Sequence, residues 1–180
     1  MAIYNEFGYI TIDDARIDET CNAYFKWKDL NTYISNNSHR GINMPDAISE
    51  PMGCYCLGYL WNRGDEVGDA TDPNTGRKIE FKATSRFEGD LSSFVFLRFK
   101  LDENLLYIYD LNINSEEFGK YPANKTQTIQ EQKNQGRRPH VSLQTLFVDA
   151  NNLEPDIIFD IRRCKAYNRV SEYYQRLIGK

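Results

Sequence analysis

Apolar residues fall along this chain in runs whose spacing switches between helical and alternating. Over residues 14–35, Ile17, Cys21, Tyr24, Phe25 and Tyr33 recur at near-helical intervals, which predicts a helix. Residues 36–44 (NNSHRGINM) are polar and contain a glycine, so a loop follows. Pro45 and Pro51 restrict helix formation beyond it. Ser49 is the expected N-cap, with Glu50 and Pro51 in a first turn that tolerates both. That second helix then runs to about Asn62 through Met52, Tyr55, Cys56, Tyr59 and Leu60, with Gly64 as its stop.

The period next changes to two. Residues 66–71 read as a short strand, and Asp72-Pro73-Asn74-Thr75-Gly76 is dense in turn formers. Residues 77–84 form a second strand with Ile79, Phe81 and Ala83 on one face and Lys78, Glu80, Lys82 and Thr84 on the other. Residues 94–101 and 105–113 are apolar and aromatic enough for buried strands, as are 141–148 and 157–161. Residues 125–134 read as a short polar helix and 170–178 as a closing helix. The predicted class is α/β, with a central mixed sheet flanked by helices. No repeat, low-complexity tract or Gly/Ser/Pro-rich linker interrupts the 180 residues, so a single domain over 1–180 is expected.

Composition narrows the classes. Apolar residues at 41% and charged ones at 27%, with twelve Tyr and ten Phe, describe a globular chain rather than a disordered one. No apolar run reaches the roughly 18 residues that cross a bilayer, so no membrane partner is expected. The N-terminus lacks the basic and apolar regions of a signal peptide, which predicts a cytoplasmic protein with reduced thiols. Cys54 and Cys56 form a C-x-C pair, but no second pair or His cluster completes a zinc site, and buried thiols are the expected state. The net charge of −4 argues mildly against nucleic acid, but its distribution changes that. Residues 1–72 hold five Lys/Arg against twelve Asp/Glu, a net −7, and the remainder seventeen against fourteen, a net +3.

The segment from Gly68 to Thr84 concentrates the candidate chemistry. An acid-x-Lys step on one strand sets the Glu80 carboxylate and the Lys82 ammonium on one face, about 7 Å apart along the chain. If the connection spans 72–77, Asp69 lies opposite Glu80, and the two side chains are cross-strand neighbours. Two such carboxylates repel unless a cation sits between them, and a hard, oxygen-preferring ion such as Mg²⁺ suits the donors. Asp72 rivals Asp69, although its place before Pro73 suits it to capping the turn. A solvated hairpin, with Glu80 and Lys82 simply facing water, is the alternative.

Asp69, ten intervening residues and then Glu80-Phe81-Lys82 resemble the PD-(D/E)XK nuclease signature. Glu50, on the helix before it, matches the place of an auxiliary acid in many restriction enzymes of that superfamily. Gly68 stands where the motif name has Pro, a frequent variation. The resemblance covers roughly residues 49–84 and points to a small orthodox type II restriction endonuclease with a restriction-endonuclease-like fold. It implies that Asp69, Glu80 and the backbone carbonyl of Phe81 ligate Mg²⁺, with Lys82 at the nucleophile. Glu50 is the further catalytic candidate, or else a first-turn acid favoured at a helix N-terminus.

The DNA-binding candidates lie mainly in residues 127–143, QTIQEQKNQGRRPHVSL. Arg137 and Arg138 can fork onto guanine, and Gln132 or Gln135 can pair with adenine. Lys125 and Lys133 suit phosphate contacts, with His140 beside them and Arg86 just past the catalytic strand. A solvated charged loop is the alternative for the whole segment. Double-stranded DNA is the expected partner, and a palindromic target requires a homodimer. The aromatics of the first helix, Tyr24, Phe25 and Trp27, serve either its interface or the core. Two other functions compete: a repair or junction-resolving nuclease of the same fold, and a non-catalytic DNA- or protein-binding module.

Overall fold

A computed structural model describes residues 8–38, 40–62, 68–83, 93–137, 139, 141–168 and 170–178. Among these residues, eight strands form one sheet in chain order: β1 (Tyr9–Ile10), β2 (Leu60–Asn62), β3 (Ala70–Thr71), β4 (Lys78–Lys82), β5 (Phe94–Lys100), β6 (Leu105–Asp110), β7 (Ile157–Asp160) and β8 (Lys165–Tyr167). Every neighbouring pair is antiparallel except β4 and β5, which run parallel. The sheet is therefore mixed and flanked by helices, as the alternation of apolar periods predicts.

Strand alternation divides the core in two. Val95 and Leu97 of β5 face a cluster with Ile17, Cys21, Tyr24 and Trp27 of helix α1 (Asp14–Asn37) and Met52 and Cys54 of helix α2 (Asp46–Leu57). Phe94 and Phe96 face the opposite way, onto Phe118 of helix α3 (Ser115–Gly119), Ile129 of helix α4 (Ile129–Asn134) and Phe147. A fifth helix, α5 (Val170–Ile178), closes the described chain. Tyr24 and Trp27 are buried and so belong to the core rather than to an interface. Among the described residues, no helix is long and apolar enough to cross a membrane.

Two expected elements are corrected. The second helix begins at Asp46, with Pro45 rather than Ser49 as N-cap, and it ends at Gly58, whose φ of 70° suits a left-handed cap. Ser49 lies inside the helix, buried, with its hydroxyl donating to the Pro45 carbonyl at 3.4 Å. Pro51 is likewise internal, because tertiary packing of Met52, Gly53 and Cys54 outweighs one missing backbone bond. Leu60, Trp61 and Asn62, expected as the helix end, form β2 instead. Residues 141–148, expected as a strand, include most of a π-helical turn over Gln144–Asp149. Val141, Leu143 and Phe147 lie at odd positions as in a strand, but Phe147 is drawn onto Tyr121 and Phe118, at 4.7 and 5.9 Å between ring centres. The short strands β1 and β8 and helix α3 carry too few residues for their period to stand out.

Candidate active site

The β3–β4 hairpin builds the site from a glycine and a turn. Gly68 has φ 84°, and a Cβ there would lie 2.8 Å from the Ile79 carbonyl oxygen, so only glycine lets β3 approach β4 this closely. Asp69 is then held from both sides. Its N–H donates to the Ile79 carbonyl at 2.8 Å, and its carbonyl accepts from Asn62 N–H at 2.9 Å. Ala70 pairs with Ile79 and Thr71 with Lys78, a register whose next step sets Asp69 across from Glu80. Instead of a strand carbonyl, the Asp69 carboxylate accepts the Phe81 N–H, at 2.7 Å. Replacing Gly68 with Ala is expected to lower stability by about 1–2 kcal/mol, through the left-handed backbone and the crowded carbonyl. Urea unfolding checks this.

Asp72 is committed elsewhere. Its carboxylate accepts from Asn74 N–H at 2.9 Å and from the Thr75 hydroxyl at 2.7 Å, closing the turn. These bonds hold its pKa below the ordinary carboxylate value. Of the two rivals, Asp69 is the one that feels Glu80.

On β4, Ile79 and Phe81 point into the α1–α2 core, while Glu80 and Lys82 project the other way, beside Phe94 and Phe96 of β5. Glu80 and Lys82 form an ion pair, with side chains only 13% and 14% exposed. A hairpin face turned to bulk water does not describe them.

Helix α2 brings a third acid. Gly53 sits so close to the Phe81 ring that a Cβ would lie 2.6 Å from it, which is how the helix reaches β4. One turn earlier, the Glu50 carboxylate accepts the Trp61 indole N–H at 2.7 Å. Glu50 is the fifth residue of α2, and Asp46 occupies the first turn, so Glu50 does not serve the helix N-terminus. Burial, and then the Asp69 charge, push the Glu50 pKa up to about 8. Burial, and then Glu80, raise Asp69 to about 6, while the Phe81 N–H and Lys82 act to lower it. Asp46 adds repulsion to both Glu50 and Asp69 and was missed as a member of this cluster.

Carboxylates crowded enough to resist ionisation are what a bound cation relieves. Among the described residues, no three His, Cys, Asp or Glu side chains converge as a ready-made ligand set. The side chains that the hairpin brings together here offer oxygen donors, the cross-strand carboxylates of Asp69 and Glu80. That set fits a hard ion such as Mg²⁺, which keeps several of its waters. The four thiols are free, with Cys21 and Cys54 buried. Cys54 is fully buried in the α1–α2 core, and burial raises its pKa well above the ordinary value.

The DNA-binding candidates are placed only in part. Arg86, Arg138 and His140 lie outside the described residues. Lys125, Gln135 and Arg137 are exposed, and Gln132 and Lys133 half-buried. Gln127 gathers two of them, donating to Gln135 at 3.2 Å and accepting from Gln132 at 3.5 Å. Helix α4 packs through Ile129 into the core that contains Phe94 and Phe96. The basic segment and the Glu80–Lys82 pair thus share one side of the sheet.

Trp61 and Asn62 were missed in the sequence because they were assigned to a helix end. Asn62 also donates its side-chain amide to the Gly68 carbonyl at 3.0 Å and accepts from the Thr71 hydroxyl at 3.0 Å. A Trp-Asn pair soon after the Gly58 helix stop was the available signal.

A family model for the Bsp6I restriction endonuclease matches residues 12–150, a span that contains every candidate site residue named above. The chain belongs to the Bsp6I restriction endonuclease family. The type II restriction enzyme Bsp6I of Bacillus sp. (strain RFL6) is 40% identical over 166 residues, covering 87% of this chain and 95% of that enzyme. No solved structure matches. Membership makes the chain a site-specific endodeoxyribonuclease with DNA as its partner, and enzymes of this kind generally depend on a divalent metal. The competing readings, a junction-resolving nuclease and a non-catalytic binding module, give way to it. The α/β architecture with a mixed central sheet agrees with the restriction-endonuclease-like fold.

Proposed function

We propose that this protein is a type II restriction enzyme that hydrolyses both strands of double-stranded DNA at a short palindromic sequence, using Mg²⁺. Asp69, Glu80 and the Phe81 carbonyl are the metal donors, Lys82 orients the attacking water and offsets phosphate charge, and Glu50 is an auxiliary acid. Bound there, the ion would lower the pKa of a water and polarise a phosphoryl oxygen. The observation that carries this reading is the β3–β4 register, which sets Asp69 across from Glu80 with Lys82 on the Glu80 face. The 180 residues act as one nuclease domain in a bacterial or archaeal cytoplasm, and two copies assemble as a homodimer to match the two-fold symmetry of the target.

Digestion of phage DNA tests the reading. Discrete bands with Mg²⁺, and intact DNA with chelator, are expected. Metal-independent cutting or a continuous smear contradicts it. Specificity is assigned to the basic segment, with Arg137, Arg138, Gln132 and Gln135 reading bases, Lys125, Lys133 and His140 supporting them, and Arg86 on the scissile strand. The exposed Arg137 gives a direct check. Arg137→Ala should cost about 1–3 kcal/mol of discrimination between cognate and altered sites, roughly 5- to 150-fold in relative affinity. Competition binding in chelator measures it, and an unchanged ratio removes Arg137 from base readout.

A further inference from the structure

We infer that Trp61 is a positioning residue for DNA cleavage, fixing the Glu50 carboxylate with its indole N–H. The inference rests on the reading of Glu50 as an auxiliary acid. Glutamate has three rotatable side-chain bonds, and an unheld carboxylate would spread over many rotamers. Among the described residues, the 2.7 Å bond from Trp61 is the one hydrogen bond that the Glu50 side chain makes. The donor itself is immobile. Trp61 is 7% exposed, lies in the α1–α2 core and pairs with Ala70 on β3. The Arg16 guanidinium covers its ring at 5.5 Å.

The same strand also holds the second acid. Asn62, the next residue, bonds the backbone of Asp69 and of Gly68. A three-residue strand therefore grips Glu50 through one side chain and Asp69 through the next backbone N–H. The close seat of Gly53 on Phe81 fixes α2 against β4 and completes the frame. A buried indole N–H needs an acceptor in any case, so the cleavage rate is the readout that separates positioning from packing.

Trp61→Phe keeps the apolar ring beneath Arg16 and deletes the N–H. In single-turnover cleavage with saturating DNA and Mg²⁺, the rate constant should fall roughly 10- to 100-fold, the usual scale for a residue that orients a site ligand. DNA affinity in chelator should stay near wild type, while the unfolding midpoint should fall by about 2–6 °C for the lost buried hydrogen bond. In a Glu50→Ala background, adding Trp61→Phe should lower the rate no further. A second measurement uses Trp27→Phe, which leaves Trp61 as the sole indole of the two in the chain. Its emission should shift on Glu50→Ala and on Mg²⁺ titration without DNA. A wild-type rate in Trp61→Phe alongside an impaired Glu50→Ala overturns the inference and spares the auxiliary acid. So does an emission spectrum that neither change moves. Full activity in Glu50→Ala removes the auxiliary acid, and this inference with it.

Discussion

Glu80→Ala should cut DNA at least roughly 10³-fold more slowly than wild type, because losing the metal ligand proposed above would forfeit about 4 kcal/mol of charge stabilisation in the transition state. Lys82→Ala should fall on the same scale. The two variants are expected to fold, since both side chains project from β4 away from the α1–α2 core, at a cost in stability because each leaves its ion-pair partner's charge unpaired. Affinity for DNA in chelator should change little in either. Glu80→Ala removes a negative charge next to the phosphates and so should bind slightly more tightly, whereas Lys82→Ala removes a positive one and should bind slightly less tightly. Opposite small effects on binding with a shared collapse in cleavage would separate a catalytic pair from a structural ion pair. Were Glu80 and Lys82 only structural, the single variants would keep their cutting rate under conditions in which they remain folded. Single-turnover kinetics and gel-shift titration decide the matter.

The hairpin that carries the candidate site was legible because its turn and its strand alternation are both marked in sequence. Asp72-Pro73-Asn74-Thr75-Gly76 marks the turn, period-two alternation marks β4, and counting back from the turn sets Asp69 across from Glu80. The position of Glu50 was legible, but its setting was not. Reading Ser49 as an N-cap placed Glu50 in a first turn, whereas Asp46 begins the helix and Glu50 reaches across to Trp61. The reason is physical. A proline is tolerated in a first turn, so Pro51 pulled the predicted start downstream, while the observed helix carries Pro51 internally and packs Gly53 on Phe81. The same shift hid β2, and with it the strand that grips two of the site's acids. The 141–148 segment failed for a different reason: too few residues to distinguish a two-residue period from a helical one, with aromatic contacts to Phe118 and Tyr121 settling the outcome.

Without metal, this protein should lose stability as pH rises from about 5 to 8.5, and Glu50→Gln should remove most of that loss. Burial and the neighbouring Asp69 charge lift the Glu50 pKa to about 8, and burial with Glu80 lifts Asp69 to about 6. In the unfolded chain both carboxyls ionise at ordinary values near 4. Between these limits the folded state holds protons that the unfolded state has released, so by linkage stability declines with rising pH across the window. The sign is opposite to that of a salt-bridged carboxylate, whose contribution is lost as pH falls. Gln keeps the shape and never ionises. At pH 8.5 in chelator, Glu50→Gln should therefore be the more stable protein, by about 2 kcal/mol once partial solvent access is discounted, or roughly 5 °C in unfolding midpoint. At pH 5, where Glu50 is protonated in the fold, the two should nearly coincide. Calorimetric melts at both pH values measure this. A Glu50 that served to stabilise a helix N-terminus would give the reverse result, with Gln the weaker protein at pH 8.5, because it would forfeit a favourable charge. An acid whose removal strengthens the metal-free fold at high pH while impairing cleavage is one held in place against its own repulsion, as a cation-binding cluster requires.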